Sequence, residues 1–92
     1  MRKIALLGST GSIGRNTIEV LKSLNKNGYP LSIVFLSSFS NSKLLIEQIK
    51  SLKPAFSCII DETSYNFVDK NCDQENCKLL KGLDGILEFI KL

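Results

Sequence analysis

Short apolar runs alternate with amphipathic stretches along this chain. Ile4-Ala5-Leu6-Leu7 is a continuous apolar run closed by Gly8, the pattern of a strand covered on both faces in a parallel sheet. Ile13, Thr17, Val20, Leu21 and Leu24 then recur at helical spacing and predict a first helix with these residues as its apolar stripe. That helix is expected to stop at Asn25-Lys26-Asn27-Gly28, where Gly28 suits a left-handed cap and Pro30 follows. Leu31 to Leu36, rich in β-branched and aromatic residues, predicts a second strand. Ser37 to Ser42 reads as a polar loop around Phe39. Lys43 to Leu52 predicts a second helix, with Leu45, Ile49 and Leu52 on one face, Ser42 as its cap and Pro54 as its stop. Phe56 to Ile60 predicts a third strand closed by Asp61-Glu62. Weaker signals follow: a short helix through Tyr65, Phe67 and Val68, a polar turn containing Asp73, and a short strand at Lys78-Leu79-Leu80. Leu83, Ile86, Leu87 and Ile90 form a final helical stripe, with Asp84 near its start and Lys91 at its end, as the macrodipole prefers.

Strands alternating with helices in this order predict the α/β class. The expected architecture is a Rossmann-like parallel sheet with helices on both faces, joined by right-handed crossovers. With three to four strands it is incomplete, and residues 1–92 read as one partial domain. A closing helix with no strand after it leaves a sheet edge and a helix face without neighbours, as expected of a fragment.

Composition narrows the function. At 43% hydrophobic and 23% charged residues the chain is an ordinary globular protein, not a disordered one. No apolar run approaches the roughly 20 residues of a membrane helix, so no membrane partner is expected. No secretory apolar region follows Met1-Arg2-Lys3; the expected location is the cytoplasm, or a plastid-type organelle after processing. A net charge of +3 on scattered lysines gives no basic face for nucleic acid. The chain has no histidine, which removes His-based catalytic triads and His-containing metal sites. Cys58, Cys72 and Cys77 are an odd set without zinc-site spacing and read as reduced thiols. Asp61, Glu62, Asp69 and Asp73 show no metal-ligand pattern.

The chemistry lies in Gly8-Ser9-Thr10-Gly11-Ser12-Ile13-Gly14. Glycines at 8, 11 and 14 between a buried strand and an amphipathic helix have the context of a dinucleotide fingerprint. Gly8 allows a tight turn out of the strand, Gly11 allows a pyrophosphate to approach the backbone, and Gly14 allows the helix to lie close to the strand. The N–H groups of Ser12, Ile13 and Gly14 are expected to face the phosphates, aided by the helix dipole, with the Thr10 and Ser12 hydroxyls adding hydrogen bonds. A tight turn that binds nothing is the plainer alternative. An NAD site usually ends its second strand in Asp or Glu, which binds the ribose hydroxyls. No carboxylate occurs from Val34 to Ile46. A 2′-phosphate is therefore not repelled, and Ser37, Ser38, Ser40, Asn41 or Lys43 are candidates to bond it. NADP is favoured over NAD, unless these serines merely cap the second helix.

The Gly-Ser-Thr-Gly-Ser-Ile-Gly string after Lys3-Ile4-Ala5-Leu6-Leu7 resembles the N-terminal end of the 1-deoxy-D-xylulose 5-phosphate reductoisomerases. Ile46-Glu47-Gln48-Ile49, Lys53-Pro54, Cys58-Ile59-Ile60-Asp61-Glu62 and Gly82-Leu83-Asp84-Gly85-Ile86 extend the resemblance over essentially the whole chain. It implies the front part of an NADPH-binding domain, in an enzyme that reduces and isomerises 1-deoxy-D-xylulose 5-phosphate to 2-C-methyl-D-erythritol 4-phosphate in non-mevalonate isoprenoid biosynthesis. The family's cofactor residues carry over onto Thr10, Gly11, Ser12, Ile13 and Asn41. The resemblance also implies a divalent metal (Mg or Mn) and a homodimer for the full-length family, with the metal carboxylates, catalytic loop histidine and substrate phosphate site beyond residue 92. The isolated piece is expected to be inactive. The family commonly has Gly-Lys before that Asn; here Phe39-Ser40 stands instead. One charge-assisted hydrogen bond is worth about 1.5–3 kcal/mol, so the missing cation weakens the expected NADP affinity unless Lys43 reaches back. Two alternatives stay open: a free-standing or degenerate nucleotide-binding module, and the N-terminal part of another Gly-x-Thr-Gly-x-x-Gly reductase or semialdehyde dehydrogenase.

Overall fold

In a computed structural model, residues 2–72 and 77–91 are described; the expected polar turn around Asp73 lies outside them. The element order is β1 (Arg2–Leu6), α1 (Ser12–Lys26), β2 (Leu31–Ser38), α2 (Ser42–Leu52), β3 (Phe56–Ile59), α3 (Glu62–Asn71), β4 (Lys78–Lys81) and α4 (Gly82–Ile90). The strands form one parallel sheet in the order β1-β2-β3-β4. Each crossover therefore steps to the next position in the same direction. With the right-handed sense that parallel crossovers take, α1, α2 and α3 lie on one face and α4 on the other.

Neighbouring strand residues show the two faces directly. Leu36, Ile59 and Leu79 pack with Leu45, Ile46 and Ile49 of α2 and Val68 of α3. Phe35, Cys58 and Leu80, each one position away, pack with Ile86 and Phe89 of α4. This is why the strands read as apolar runs rather than as alternating patterns. The Phe35 and Phe89 rings stack with centroids 4.2 Å apart.

Two helical stripes differ from their expected orientation. On α1 the buried residues are Gly14, Ile18 and Leu21, whereas Ile13 (84%), Val20 (57%) and Leu24 (37%) are exposed. Gly14 is the closest point of α1 to the turn, so the stripe that includes it must face the sheet. On α4, Leu83, Leu87 and Ile90 are exposed, while Gly85 is buried and Ile86 and Phe89 touch the sheet. Gly85 permits that approach: a Cβ there would lie 3.0 Å from the Cys58 sulfur and 2.9 Å from the Leu80 Cβ. Both helices carry two apolar stripes, and spacing alone does not rank them.

Two boundaries also differ. β2 extends through Ser38, two residues into the expected loop, because the following backbone continues to pair: Ile60 N–H donates to the Ser38 carbonyl at 3.1 Å. The cap of α2 is Asn41, not Ser42; its Oδ1 accepts from Leu44 N–H at 3.3 Å. Among the described residues no helix is long and apolar enough to cross a membrane.

Candidate functional site

The turn from β1 into α1 stands at the C-terminal edge of the sheet, where open α/β sheets place their ligands. Its three glycines have three different causes. Gly8 has φ +71°, a left-handed conformation that a side chain disfavours. Gly14 has no room: a Cβ would lie 2.8 Å from Ser9 Cα and would strike the Gly8 carbonyl oxygen. Gly11 has neither constraint. Its backbone is ordinary extended chain at φ −77°, ψ 174°, and a Cβ would meet only the Gly8 oxygen, at 3.7 Å. The fold therefore gives no reason for glycine at position 11, and close approach of a ligand to the backbone supplies one.

The N-terminus of α1 is open in the matching way. Gly11 caps it without a side-chain hydrogen bond, and its first turn holds no acidic residue. Arg15 N–H is the first to find an intrahelical acceptor, the Gly11 carbonyl at 2.9 Å. The N–H groups of Ser12, Ile13 and Gly14 have no protein acceptor among the described residues. Ser12 and Ile13 are exposed. Three orphan amides at the positive end of a helix dipole form an anion-binding arrangement. The Ile13 side chain points away into solvent; the residue's contribution to such a site is its amide.

The rest of the turn is tied down by polar bonds. Gly8 N–H donates to Ser37 Oγ at 3.1 Å, and Ser9 N–H to the Ser37 carbonyl at 2.8 Å. The Thr10 and Ser38 hydroxyls share a hydrogen bond of 2.7 Å, and Asn41 N–H donates to Ser38 Oγ at 3.2 Å. A hydroxyl is one donor and two acceptors, so Thr10 keeps bonding capacity for a ligand.

Ser37 and Ser38 are not available for a ribose phosphate, contrary to their candidacy in the sequence. Both are buried, and their hydroxyls face Gly8, Thr10 and Asn41 within the protein. Phe39, Ser40 and Asn41 are exposed in the loop beyond β2, and Lys43 is exposed in the first turn of α2. Asn41 spends its Oδ1 on capping α2; the carbonyl of Ser40 accepts from Ser42 N–H at 2.9 Å and from Ser64 Oγ at 3.1 Å.

Sequence spacing misses two residues here. Gln48 of α2 is buried and bonds Ser9. Asp61 follows β3 rather than β2, yet its N–H donates to the Phe39 carbonyl at 2.8 Å, which sets a carboxylate beside the loop. Its Oδ2 accepts from Ser64 N–H and Oγ at 3.0 and 2.8 Å, and these bonds hold its pKa below the usual carboxylate value. The signal in the sequence was the Asp61-x-x-Ser64 cap spacing, which marks a helix start and says nothing about which loop lies beside it. Glu62 pairs instead with Lys81 at 3.2 Å. Among the described residues no group of His, Cys, Asp or Glu could hold a metal ion.

With this geometry in hand, the comparisons with known proteins agree. The family described as 1-deoxy-D-xylulose 5-phosphate reductoisomerase matches residues 4–92. Curated relatives of that name include one from Caldanaerobacter subterraneus subsp. tengcongensis, 38% identical over 99% of this chain and 23% of its own length. Another, from Clostridium botulinum, is 34% identical over 95% of this chain and 22% of its own length. Among solved structures, the reductoisomerase from Zymomonas mobilis in complex with NADPH is similar at TM-score 0.79 and 26% identity, over 95% of this chain and 22% of that one. A reductoisomerase structure with fosmidomycin and magnesium has TM-score 0.82 at 23% identity, over 97% of this chain and 22% of that one, and speaks for the fold alone. The chain thus spans less than a quarter of the length of the relatives it matches.

Proposed function

Since the chain belongs to the 1-deoxy-D-xylulose 5-phosphate reductoisomerase family, we propose that residues 1–92 are part of its NADPH-binding domain. The carrying observation is the pairing of an unexplained glycine at 11 with three orphan amides at Ser12, Ile13 and Gly14. In this reading the amides hold the cofactor's diphosphate. Gly8 and Gly14 shape the turn, and Thr10 and Ser12 add hydroxyl contacts. Ser40 and Asn41 face the adenosine ribose with its 2′-phosphate. The exposed Phe39 ring offers a stacking surface for adenine, and Lys43, in the first turn of α2, is the basic residue nearest that loop along the chain. Asp61 opposes a 2′-phosphate from the neighbouring strand, so the preference for NADPH over NADH is smaller than a loop cation would give.

When bound, the nicotinamide supplies hydride chemistry; this chain binds and orients the cofactor. Among the described residues the donor set does not fit a divalent metal, and no step through one is assigned to them. By kinship the whole enzyme reduces and isomerises 1-deoxy-D-xylulose 5-phosphate with NADPH and magnesium or manganese, as a cytoplasmic homodimer. These 92 residues alone are inactive in that reaction.

Fluorescence titration with NADPH and NADH tests the reading. NADPH binds the wild-type chain, and Gly11→Val, which puts a branched side chain where the diphosphate lies, abolishes binding without unfolding. Persistent binding by Gly11→Val refutes the assignment. Consumption of NADPH with 1-deoxy-D-xylulose 5-phosphate by the 92-residue chain refutes its inactivity.

A further inference from the structure

We infer that Gln48, 39 positions beyond the turn, is a positioning residue for the nucleotide's diphosphate; the inference rests on the nucleotide reading above. Gln48 is in α2 beside Leu45 and Ile49, on the face that packs against the sheet. A polar side chain at such a position costs stability unless its groups are bonded. Both of its amide groups are bonded, to the same residue. Nε2 donates to the Ser9 carbonyl at 2.8 Å, and Oε1 accepts from Ser9 Oγ at 2.7 Å. The orientation of the amide is forced, because a carbonyl oxygen accepts and never donates.

Ser9 is the platform under the anion site. It is fully buried, and its N–H is held by the Ser37 carbonyl. Its Cα and C are among the backbone atoms against which Gly14 rests, without space for a Cβ. A shift of Ser9 therefore moves the first turn of α1 and re-aims the Ser12, Ile13 and Gly14 amides. Gln48 resists that shift from α2, as Ser37 does from β2. A leucine or methionine at 48 would satisfy the core equally well as apolar volume, but would leave the Ser9 carbonyl without its bond to α2. Asn41 caps the same helix, so α2 also sets the ribose loop relative to the phosphate turn. Gln48 is one of the residues lining a cleft of about 580 Å³ between α1 and α2, so an unbranched substitute is not overpacked.

The test separates positioning from stability by using two probes on the 92-residue chain. NADPH carries a diphosphate; adenosine 2′-monophosphate carries the ribose phosphate and none. Affinities are read by NMR titration, following the Ser12, Ile13 and Gly14 amide signals, beside a thermal melt without ligand. Gln48→Met raises the NADPH Kd about tenfold or more, which corresponds to roughly 1.4 kcal/mol. It leaves the adenosine 2′-monophosphate Kd within about twofold. Ser9→Ala keeps the Nε2 bond and removes the hydroxyl's contacts to Gln48 Oε1 and the Ser37 carbonyl, and shows the same split with a smaller loss. Should Gln48→Met fail to fold, Ser9→Ala decides by that split. Equal weakening of both probes, or of neither, overturns the positioning role. A wild-type chain that takes up no NADPH at all overturns the nucleotide reading, and this inference with it.

Discussion

Alanine at Gly14 and alanine at Gly11 are expected to do opposite things. At Gly14 the new Cβ meets backbone, 2.8 Å from Ser9 Cα and 2.9 Å from Ser9 C, and backbone cannot rotate aside. Overpacking of this kind costs about 1–3 kcal/mol. Displacing Ser9 also breaks a buried hydrogen bond, at about 1–3 kcal/mol, against a gain of about 1 kcal/mol in helix propensity. The net loss centres near 3 kcal/mol, which for a domain of this size lowers Tm by roughly 12–24 °C. At Gly11 the Cβ makes one ordinary contact at 3.7 Å. Restricting the unfolded chain gains about 0.4–1 kcal/mol, and alanine is a poorer helix cap than glycine by a similar amount. Stability thus stays within about 1 kcal/mol of wild type, whereas NADPH affinity falls because the methyl group intrudes between backbone and diphosphate. Thermal melts followed by dichroism, with NADPH titration of each folded variant, measure both effects. If Gly11→Ala melts as low as Gly14→Ala, glycine 11 has a structural cause and the argument from elimination fails. If Gly11→Ala binds NADPH as tightly as wild type, no ligand approaches there.

Ser40→Lys supplies a cation beside the ribose loop and next to Asp61; it is expected to raise the NADPH-to-NADH affinity ratio about tenfold, the effect of one charge-assisted bond, and an unchanged ratio places the ribose phosphate elsewhere. Burial pushes the Cys58 thiol up to about 11 from 9.0, and desolvation raises Cys77 as well. Both should therefore be alkylated by iodoacetamide more slowly at pH 7.5 than the half-exposed Cys72, as read by mass spectrometry of the modified peptides. Because the folded value of Cys58 lies above the unfolded one, its linked stability is complete below pH 9.0 and lost as pH rises to about 11; a melt unchanged over that range contradicts its burial. Asp61 runs the other way: its carboxyl is held low by Ser64, so its contribution is present above the ordinary carboxylate pKa of about 3.9 and is lost as acid drives pH below it. An NMR titration should place its midpoint under that value, and Ser64→Ala should move the midpoint up.

Much of the molecule was legible in the residues. The order of strands and helices follows from apolar runs of four to six separated by helical spacing, and Gly8 and Gly14 sit where a strand-to-helix turn requires them. The departures share one origin. Ile13, Val20 and Leu24 on α1, and Leu83, Leu87 and Ile90 on α4, look like core stripes because spacing reports which residues share a helix face. It does not report which of two apolar faces meets the sheet; Gly14 and Gly85 settle that by resting closer to the Ser9 backbone and the Leu80 Cβ than a Cβ allows. Ser37 and Ser38 look like loop donors because serines are common there, but the backbone beyond them keeps pairing with β3 and pulls both inside.

The sequence by itself determined the alternating architecture and the anion-ready turn, because hydrophobic period and glycine placement act between residues close along the chain. Only the tertiary structure decided that Asp61 neighbours the loop beyond β2, that Gln48 clamps Ser9, and that Gly11 alone among the turn's glycines has no structural cause. Those facts depend on which strands become neighbours and how closely helices dock, and such contacts join positions tens of residues apart that carry no local mark.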